Sequence, residues 1–424
     1  MTSVRKIEHK DEPFAASITV PGDKSLSHRA LLFAGLAEGD SLVSGLGPGR
    51  DVAATESALG ALGVEIVGEQ IRSPGFKRWS EPGEPINCGN SGTTMRLLAG
   101  VLSMSAFSVE LVGDASLSKR TMTRLEDPLR SLGGIITTSG GHAPLRVGGA
   151  EITSPADIAI PMASAQVRTA FELAALACVG SSTIDSPPGF RDHTERWLHA
   201  IGRGDWETKT RFRVDPGPIP PARYDIPGDP SSAAFLWTAA AIAPGSTVIT
   251  PGISLNPGRL GFLQVLDDMG ANIEVVVTGS IGGDPVGDVR VGAGRLVGVE
   301  MNGELVAATL DELPLVAVLG ANAEGVTAVS GAAELRVKES DRINSIAAML
   351  SALGGTIVSK PDGFDIVGTG RLEGGTVDSF GDHRIAMAAA VAGTRARDPI
   401  QIRDADAVGV SWPDFYETLE SLWS

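Results

Sequence analysis

Two kinds of apolar segment alternate along this chain. One is rich in Ala, Leu, Ile and Val and apolar on nearly every face; the other is a shorter amphipathic stretch that ends on glycine. The second kind appears first at Leu59-Gly60-Ala61-Leu62-Gly63. It returns at Leu129 to Gly133, Leu198 to Gly202, Leu266 to Gly270 and Leu350 to Gly354. Two apolar residues three apart, then glycine, then β-branched residues read as the end of a helix. The glycine takes the left-handed conformation and a strand follows. Strands are accordingly predicted at Val64 to Val67, Ile135 to Thr137 and Ile273 to Val277. The closing glycines are separated by 70, 69, 68 and 84 residues, which predicts a repeat of about 70 residues. A sixth copy begins at Leu419 and Leu422.

Between these points lie the segments that are apolar all round, each followed by a short strand. They are Ala30 to Ala37, Leu97 to Leu102, Phe171 to Ala177, Ala233 to Ala243, Leu315 to Ala321 and Ile385 to Ala392. Helices without a polar face are predicted to be buried. Each repeat therefore reads strand, buried helix, strand, amphipathic helix, then strands. Six such repeats exceed a single core, so two domains of three are predicted, with the Pro-rich stretch Pro216 to Asp229 as the boundary.

Composition narrows the classes of function. Of 424 residues, 42% are hydrophobic and 20% charged, which excludes a disordered chain. The formal net charge of −16 argues against nucleic acid or an anionic membrane as a default partner. Cys88 and Cys178 form no CxxC and lie 90 positions apart, so neither a disulfide framework nor a zinc site is expected. Met1 to Phe14 is charged and lacks the apolar core of a signal peptide. Ala233 to Ala243 is too short to span a bilayer.

The apolar helices begin alike, and here chemistry enters. At or just ahead of their first turns stand Asp23 to Arg29, Gly89 to Arg96, Ala163 to Arg168, Gly228 to Ser232, Leu310 to Glu312 and Gly381 to Arg384. Ser, Thr, Asp and Asn are good N-caps, and capping alone accounts for Ser231-Ser232 as well as any function does. Lys24, Arg29, Arg96, Arg168 and Arg384 need more, because a cation near a helix start opposes the macrodipole. A bound anion, attracted by both, resolves the conflict. The amphipathic helices also start at polar loops, with Arg50, Arg120 and Arg124, Arg191, Arg259, and Arg336 and Arg342. In Glu334 to Arg342, Lys338 and Arg342 are four apart and are expected on one helical face. With Glu339 beside them they suit a phosphate and a proton transfer. An acidic chain is thus expected to bind anions in a local basic cleft. Gly45 to Gly49 falls short of a dinucleotide fingerprint, since Arg50 stands where the third glycine belongs. His193 and His199 are six apart, off one helical face, so no metal site is expected.

The segments Pro21 to Arg29, Gly89 to Arg96, Gly113 to Arg120, Ser164 to Gln166, Arg191 to Arg196, Arg336 to Arg342 and Asp382 to Met387 resemble, in collinear order, the motifs of the 5-enolpyruvylshikimate-3-phosphate (EPSP) synthase family. The resemblance implies an α/β (α+β) fold, a two-domain inside-out α/β barrel of six βαβαββ repeats arranged three plus three. It implies one domain at 21–227 and another at 1–20 plus 228–424, with the active site in the cleft. The implied reaction moves the enolpyruvyl group of phosphoenolpyruvate to the 5-hydroxyl of shikimate 3-phosphate, through a tetrahedral intermediate, releasing phosphate. Carried over by motif, Lys24, Ser25, Arg29, Ser164, Ala165, Gln166, Arg191, Asp311 and Lys338 hold shikimate 3-phosphate. Lys24, Asn90, Gly92, Arg120, Gln166, Arg342 and Arg384 hold phosphoenolpyruvate, and Asp311, Glu339 and Lys24 are catalytic. No cofactor, metal, nucleic acid or membrane is implied, and a cytoplasmic monomer is expected.

Several positions depart from the family pattern, Ser91 and Thr94 among them, each standing where the family usually has Ala. Val410 stands where many members carry a Lys, three residues before Pro413, and Leu97 replaces a Pro. Gly92, which leaves room for the inhibitor glyphosate, is kept, and Leu97 is expected to weaken inhibition. A UDP-N-acetylglucosamine enolpyruvyl transferase is the nearest alternative, but that family often carries a Cys in the loop corresponding to Gly113 to Arg120, which has none. Cys88 and Cys178 read as packing residues. A non-catalytic anion-binding relative would be expected to have lost Asp311, Glu339 or Lys24.

Overall fold

The computed structural model describes residues 3–150 and 153–424; Met1 and Thr2, which open the charged N-terminal stretch, lie outside them. The chain forms two compact units. The first comprises Lys24–Ile226 with Ser280–Asp284; the second comprises Pro227–Gly279, Pro285–Ser424 and the N-terminal stretch up to Asp23.

The first unit carries helices α1 (Lys24–Leu36), α2 (Arg50–Ala61), α3 (Gly92–Leu102), α4 (Glu126–Ser131), α5 (Ala165–Ala175) and α6 (His193–Ala200). The second carries α7 (Pro230–Ile242), α8 (Gly261–Asp268), α9 (Gly303–Ala308), α10 (Leu313–Asn322), α11 (Arg342–Ala352), α12 (His383–Gly393) and α13 (Phe415–Glu420). The five closing glycines all have positive φ, from 67° to 93°, and each is followed within three residues by a strand. Lacking a Cβ, they turn the chain out of the helix at no steric cost.

The all-round apolar helices are indeed the core. Every residue of α7 and of α12 is buried. Such burial contributes on the order of 1.5–3 kcal/mol per large aliphatic side chain. Each unit has its own cluster, one built around Leu31, Leu98 and Phe171, the other around Leu236, Val316 and Ile385. Some strands alternate buried and exposed positions, as in Gln70–Pro74, whereas Asn272–Ile281 has no buried residue. Where α3 meets α5 the backbones nearly touch: a Cβ on Gly100 would stand 2.3 Å from the carbonyl oxygen of Ala170.

Among the described residues, five sheets have four strands and share one order: a parallel edge strand, a central strand, then an antiparallel hairpin. In the sheet of Ile86–Asn87, Ser108–Val112, His142–Gly148 and Ile136–Ser139, all four strands come from one repeat. In the first sheet of each unit the edge strand comes from elsewhere. Arg223–Asp225 runs parallel to Leu42–Ser44, and Ala15–Ser17 runs parallel to Thr247–Ile249. The stretch Pro216 to Asp229 thus supplies a strand as well as a boundary. The sixth sheet has three strands: Gly375–Asp378 is parallel to Ile400–Arg403, and Val4–Ile7 takes the antiparallel place of the hairpin. No helix among the described residues is long and apolar enough to cross a membrane.

Candidate functional site

In the first unit, polar groups collect where α1, α3 and α5 begin. Lys24 is the first residue of α1, and its Nζ lies 3.1 Å from Asp51 Oδ2 in the first turn of α2. Ser91 caps α3 by accepting from the Thr94 amide, so Gly92 opens that helix. Two guanidinium groups stand over Gly92: a Cβ there would lie 2.8 Å from Arg96 Nη1 and 3.4 Å from Arg120 Nη1. Arg120 donates to Asn90 Oδ1 at 2.7 Å, and Asn90 donates to Asp114 at 2.8 Å. Arg96 donates to Gln166 Oε1 at 2.7 Å, and Gln166 donates to Thr93 at 2.9 Å. Ser164 caps α5, which places Ala165 and Gln166 in its first turn. Arg191 precedes α6 and is part-exposed. Arg29 is buried; it donates to Thr194 at 2.8 Å, to Thr169 at 2.9 Å and to the Ser25 carbonyl at 3.0 Å.

Behind Lys24 lies a buried relay. His28 Nδ1, Thr55 Oγ1, Thr94 Oγ1 and Ser91 Oγ follow one another at 2.7 Å each. Burial, then the charges of Lys24 and Arg29, hold the His28 imidazole well below its ordinary pKa, so it is neutral. The relay ties the start of α1 to the cap of α3, and no motif in the sequence marks it.

In the second unit the centre is Arg342, the first residue of α11, buried to 1% exposure. It donates to Asp382 at 2.7 Å and to Glu339 at 2.6 Å, and lies 3.4 Å from Asp311. Lys338 and Arg384 also approach Asp311, at 3.7 and 3.8 Å, and Arg384 donates to the Asp311 carbonyl at 3.0 Å. Three cations thus converge on one carboxylate. Burial would lower the Arg342 pKa, but Asp382 and Glu339 outweigh it and raise it. Burial alone would push the Asp382 carboxyl up; Arg342 and His383 hold it below the ordinary range instead. The sequence marks Asp382 as a helix N-cap and as part of a motif, but not as a residue of the site. It caps α12 by accepting from the Arg384 amide at 2.9 Å.

Some sequence expectations are corrected. Lys338 and Arg342 do not share a helical face. Asp341 caps α11, so Lys338 lies before the helix in extended backbone, and the two cations reach Asp311 from different segments. Arg168 is no anion ligand at a helix mouth, because its side chain is fully buried against Glu195. Arg336 is spent on the Lys360 and Pro361 carbonyls and on Asp341. Arg259 is buried between Asp23, Asp229 and Ser231, so the α7 start is a capped and ion-paired structural element. Leu97 is fully buried, and Val410 ends a 3-10 turn in the second unit.

Cations and carboxylates gathered at helix starts of a repeated α/β fold are the equipment of a transferase acting on anionic substrates. The family model described as EPSP synthase (3-phosphoshikimate 1-carboxyvinyltransferase) matches residues 9–419, and the chain belongs to that family. It is 43% identical over 412 residues to the 3-phosphoshikimate 1-carboxyvinyltransferase of Methylococcus capsulatus, covering 96% of this chain and 94% of that one. The enzyme of that description from Halorhodospira halophila is 44% identical over 410 residues, covering 95% and 92%. The solved structure of EPSP synthase from Acinetobacter baumannii matches with a TM-score of 0.88 at 37% identity, covering 100% of this chain and 98% of that one.

Proposed function

We propose that the protein transfers the enolpyruvyl group of phosphoenolpyruvate to the 5-hydroxyl of shikimate 3-phosphate and releases phosphate. The observation that carries this reading is family membership across nearly the whole chain, with Lys24, Asp311, Glu339, Arg342 and Arg384 all in place. In this reading Ser25, Arg29, Ser164, Ala165, Gln166, Arg191 and Lys338 bind shikimate 3-phosphate. Asn90, Gly92, Arg120, Arg342 and Arg384 bind phosphoenolpyruvate, to which Lys24 and Gln166 also contribute.

The chemistry is addition followed by elimination. C3 of phosphoenolpyruvate takes a proton, leaving C2 electron-poor. The 5-hydroxyl oxygen bonds to C2 as its proton passes to a base, giving a tetrahedral adduct. The bond from C2 to the phosphate oxygen then breaks, and C3 gives back a proton as the double bond re-forms. We assign Asp311 to the hydroxyl and Glu339 with Lys24 to C3. The arginines stabilise the charge on the departing phosphate. Lys338, Arg342 and Arg384 within 3.4–3.8 Å of Asp311 support its place among the anions. The same reading makes the protein a cytoplasmic monomer with no nucleic-acid partner.

A phosphate-release assay tests the proposal. Release is expected with both substrates together and with neither alone, and Lys338→Ala and Glu339→Ala are expected to abolish it. Release from phosphoenolpyruvate alone at the same rate would overturn the reading. Hydrogen isotope exchange at C3 separates the roles: loss of Asp311 is expected to spare exchange more than loss of Glu339.

A further inference from the structure

Arg168 stands in the first turns of α5, yet its side chain is 0% exposed. Its Nε donates to Glu195 on α6 at 2.6 Å. Its Nη1 donates to Ser186 Oγ at 3.0 Å and to the Thr210 carbonyl at 2.9 Å, and the guanidinium lies 3.9 Å over the Phe190 ring. A second carboxyl group, Glu172, sits one turn further along α5, also 0% exposed. Its nearer oxygen is 3.8 Å from Arg168 Nε; neither oxygen accepts a hydrogen bond, and the carboxyl itself lies within hydrogen-bonding reach of Glu195. Two buried carboxyl groups therefore face one guanidinium, which is committed to Glu195. Burial, reinforced by the Glu195 charge, pushes the Glu172 carboxyl well above the ordinary range, against the pull of Arg168.

The residues beside this pair grip Arg29. Thr169 follows Arg168, Thr194 precedes Glu195, and the two hydroxyls lie 2.6 Å apart. Arg29 donates to both. Side by side, the ion pair and the threonine pair cross-link α5, which opens on Ser164, Ala165 and Gln166, to α6, which Arg191 precedes. A buried ion pair adds little stability over apolar packing, so its presence here calls for another reason.

We infer that the Arg168–Glu195 ion pair is a positioning device that sets Arg29 and the openings of α5 and α6 for shikimate 3-phosphate. The inference rests on the substrate assignment above. It makes the two carboxyl groups unequal: Glu195 takes the guanidinium's hydrogen bond and orients the machinery, while Glu172 stands outside that bond.

Kinetics and melting of full-length Glu172→Gln, Glu195→Gln and Arg168→Lys, with Arg29→Ala as control, test it. Glu172→Gln exchanges one neutral group for another and is expected to stay within about twofold of the parent in both KM values, well below one hydrogen bond's worth. Glu195→Gln is expected to raise the KM for shikimate 3-phosphate about tenfold, the loss of one charge-assisted hydrogen bond, while the KM for phosphoenolpyruvate moves less than about threefold. Should Glu195→Gln fail to fold, Arg168→Lys carries the test, since it keeps the charge but loses the fork that reaches Ser186 and Thr210; the same selective rise is expected. A lowered melting temperature with both KM values unchanged would reduce the pair to a structural element and overturn the inference, as would a larger rise from Glu172→Gln than from Glu195→Gln. If Arg29→Ala leaves the KM for shikimate 3-phosphate unchanged, the substrate assignment itself fails. If Arg29→Ala raises it and Glu195→Gln does not, the positioning role alone fails.

Discussion

Gly92 shows how much a single hydrogen atom can decide. The Arg96 guanidinium stands 2.8 Å from where a Cβ would be, and the Arg120 guanidinium 3.4 Å. The α3 backbone at Gly92 is helical, so Gly92→Ala meets no conformational penalty; the methyl group presses on the two cations instead. Under the proposed assignment, displacing them by a few tenths of an ångström misaligns phosphoenolpyruvate. We expect kcat/KM for phosphoenolpyruvate to fall about tenfold or more, with the melting temperature nearly unchanged. Asp382 is the opposite case, where one residue holds the scaffold. Its carboxylate accepts from Arg342 Nε at 2.7 Å, Ser340 at 3.1 Å and the Arg384 amide at 2.9 Å, with both Asp382 and Arg342 buried. Asp382→Asn strips charge from a buried pair and is expected to cost about 3 kcal/mol in denaturant unfolding, along with activity.

At the scale of elements, α5 has a pH signature. Because folding raises the Glu172 pKa, the folded state holds that proton more tightly than the unfolded chain. The stability this provides is fully present in acid and is lost as pH climbs from the ordinary carboxylate range toward the folded value. Glu172→Gln removes the loss, so the variant should gain on the parent in unfolding free energy over the pH window above the ordinary carboxylate range. A constant gap across that window would contradict the assignment of the proton.

What the sequence discloses at this scale depends on how local the cause is. Glycine after an amphipathic helix is a rule within one turn, and the helix ends at 63, 133, 202, 270 and 354 were legible. So were the six buried helices, because only Glu172 and Thr238 interrupt their apolar runs. Most residues of the candidate site were legible as a motif resemblance and as cations at helix starts. The inward turn of Arg168 was not, since a helix buried on all sides offers no periodicity to say which way one charged side chain points. The extended backbone at Lys338 was hidden for a related reason: four-residue spacing means one face only inside a helix, and the cap at Asp341 starts that helix later. The edge strands Ala15–Ser17 and Arg223–Asp225 have three residues each, and their partners are far along the chain.

At the scale of the molecule, the second unit takes strands from the N-terminal stretch twice. Val4–Ile7 completes the sheet of Ile400–Arg403, and Ala15–Ser17 the sheet of Thr247–Ser254. Removing residues 3–7 should therefore expose the edge of a sheet nearly the whole chain away. Hydrogen exchange is expected to rise at Ile400–Arg403 and Gly375–Asp378 while the sheets of the first unit keep their protection. Uniform loss across both units would contradict this.

The same pairing orders events at the ribosome. The strands within Lys24–Ile226 find their partners among themselves, so that part of the chain can settle while the remainder is still being made. The N-terminal strands cannot. Val4–Ile7 is made before Lys24–Ile226 yet waits for Ile400–Arg403, and until then it is an unpaired edge seeking a neighbour. Synthesis therefore leaves Val4–Ile7 exposed for longer than the strands of the first unit, and a pause before Ile400–Arg403 is made would prolong that exposure.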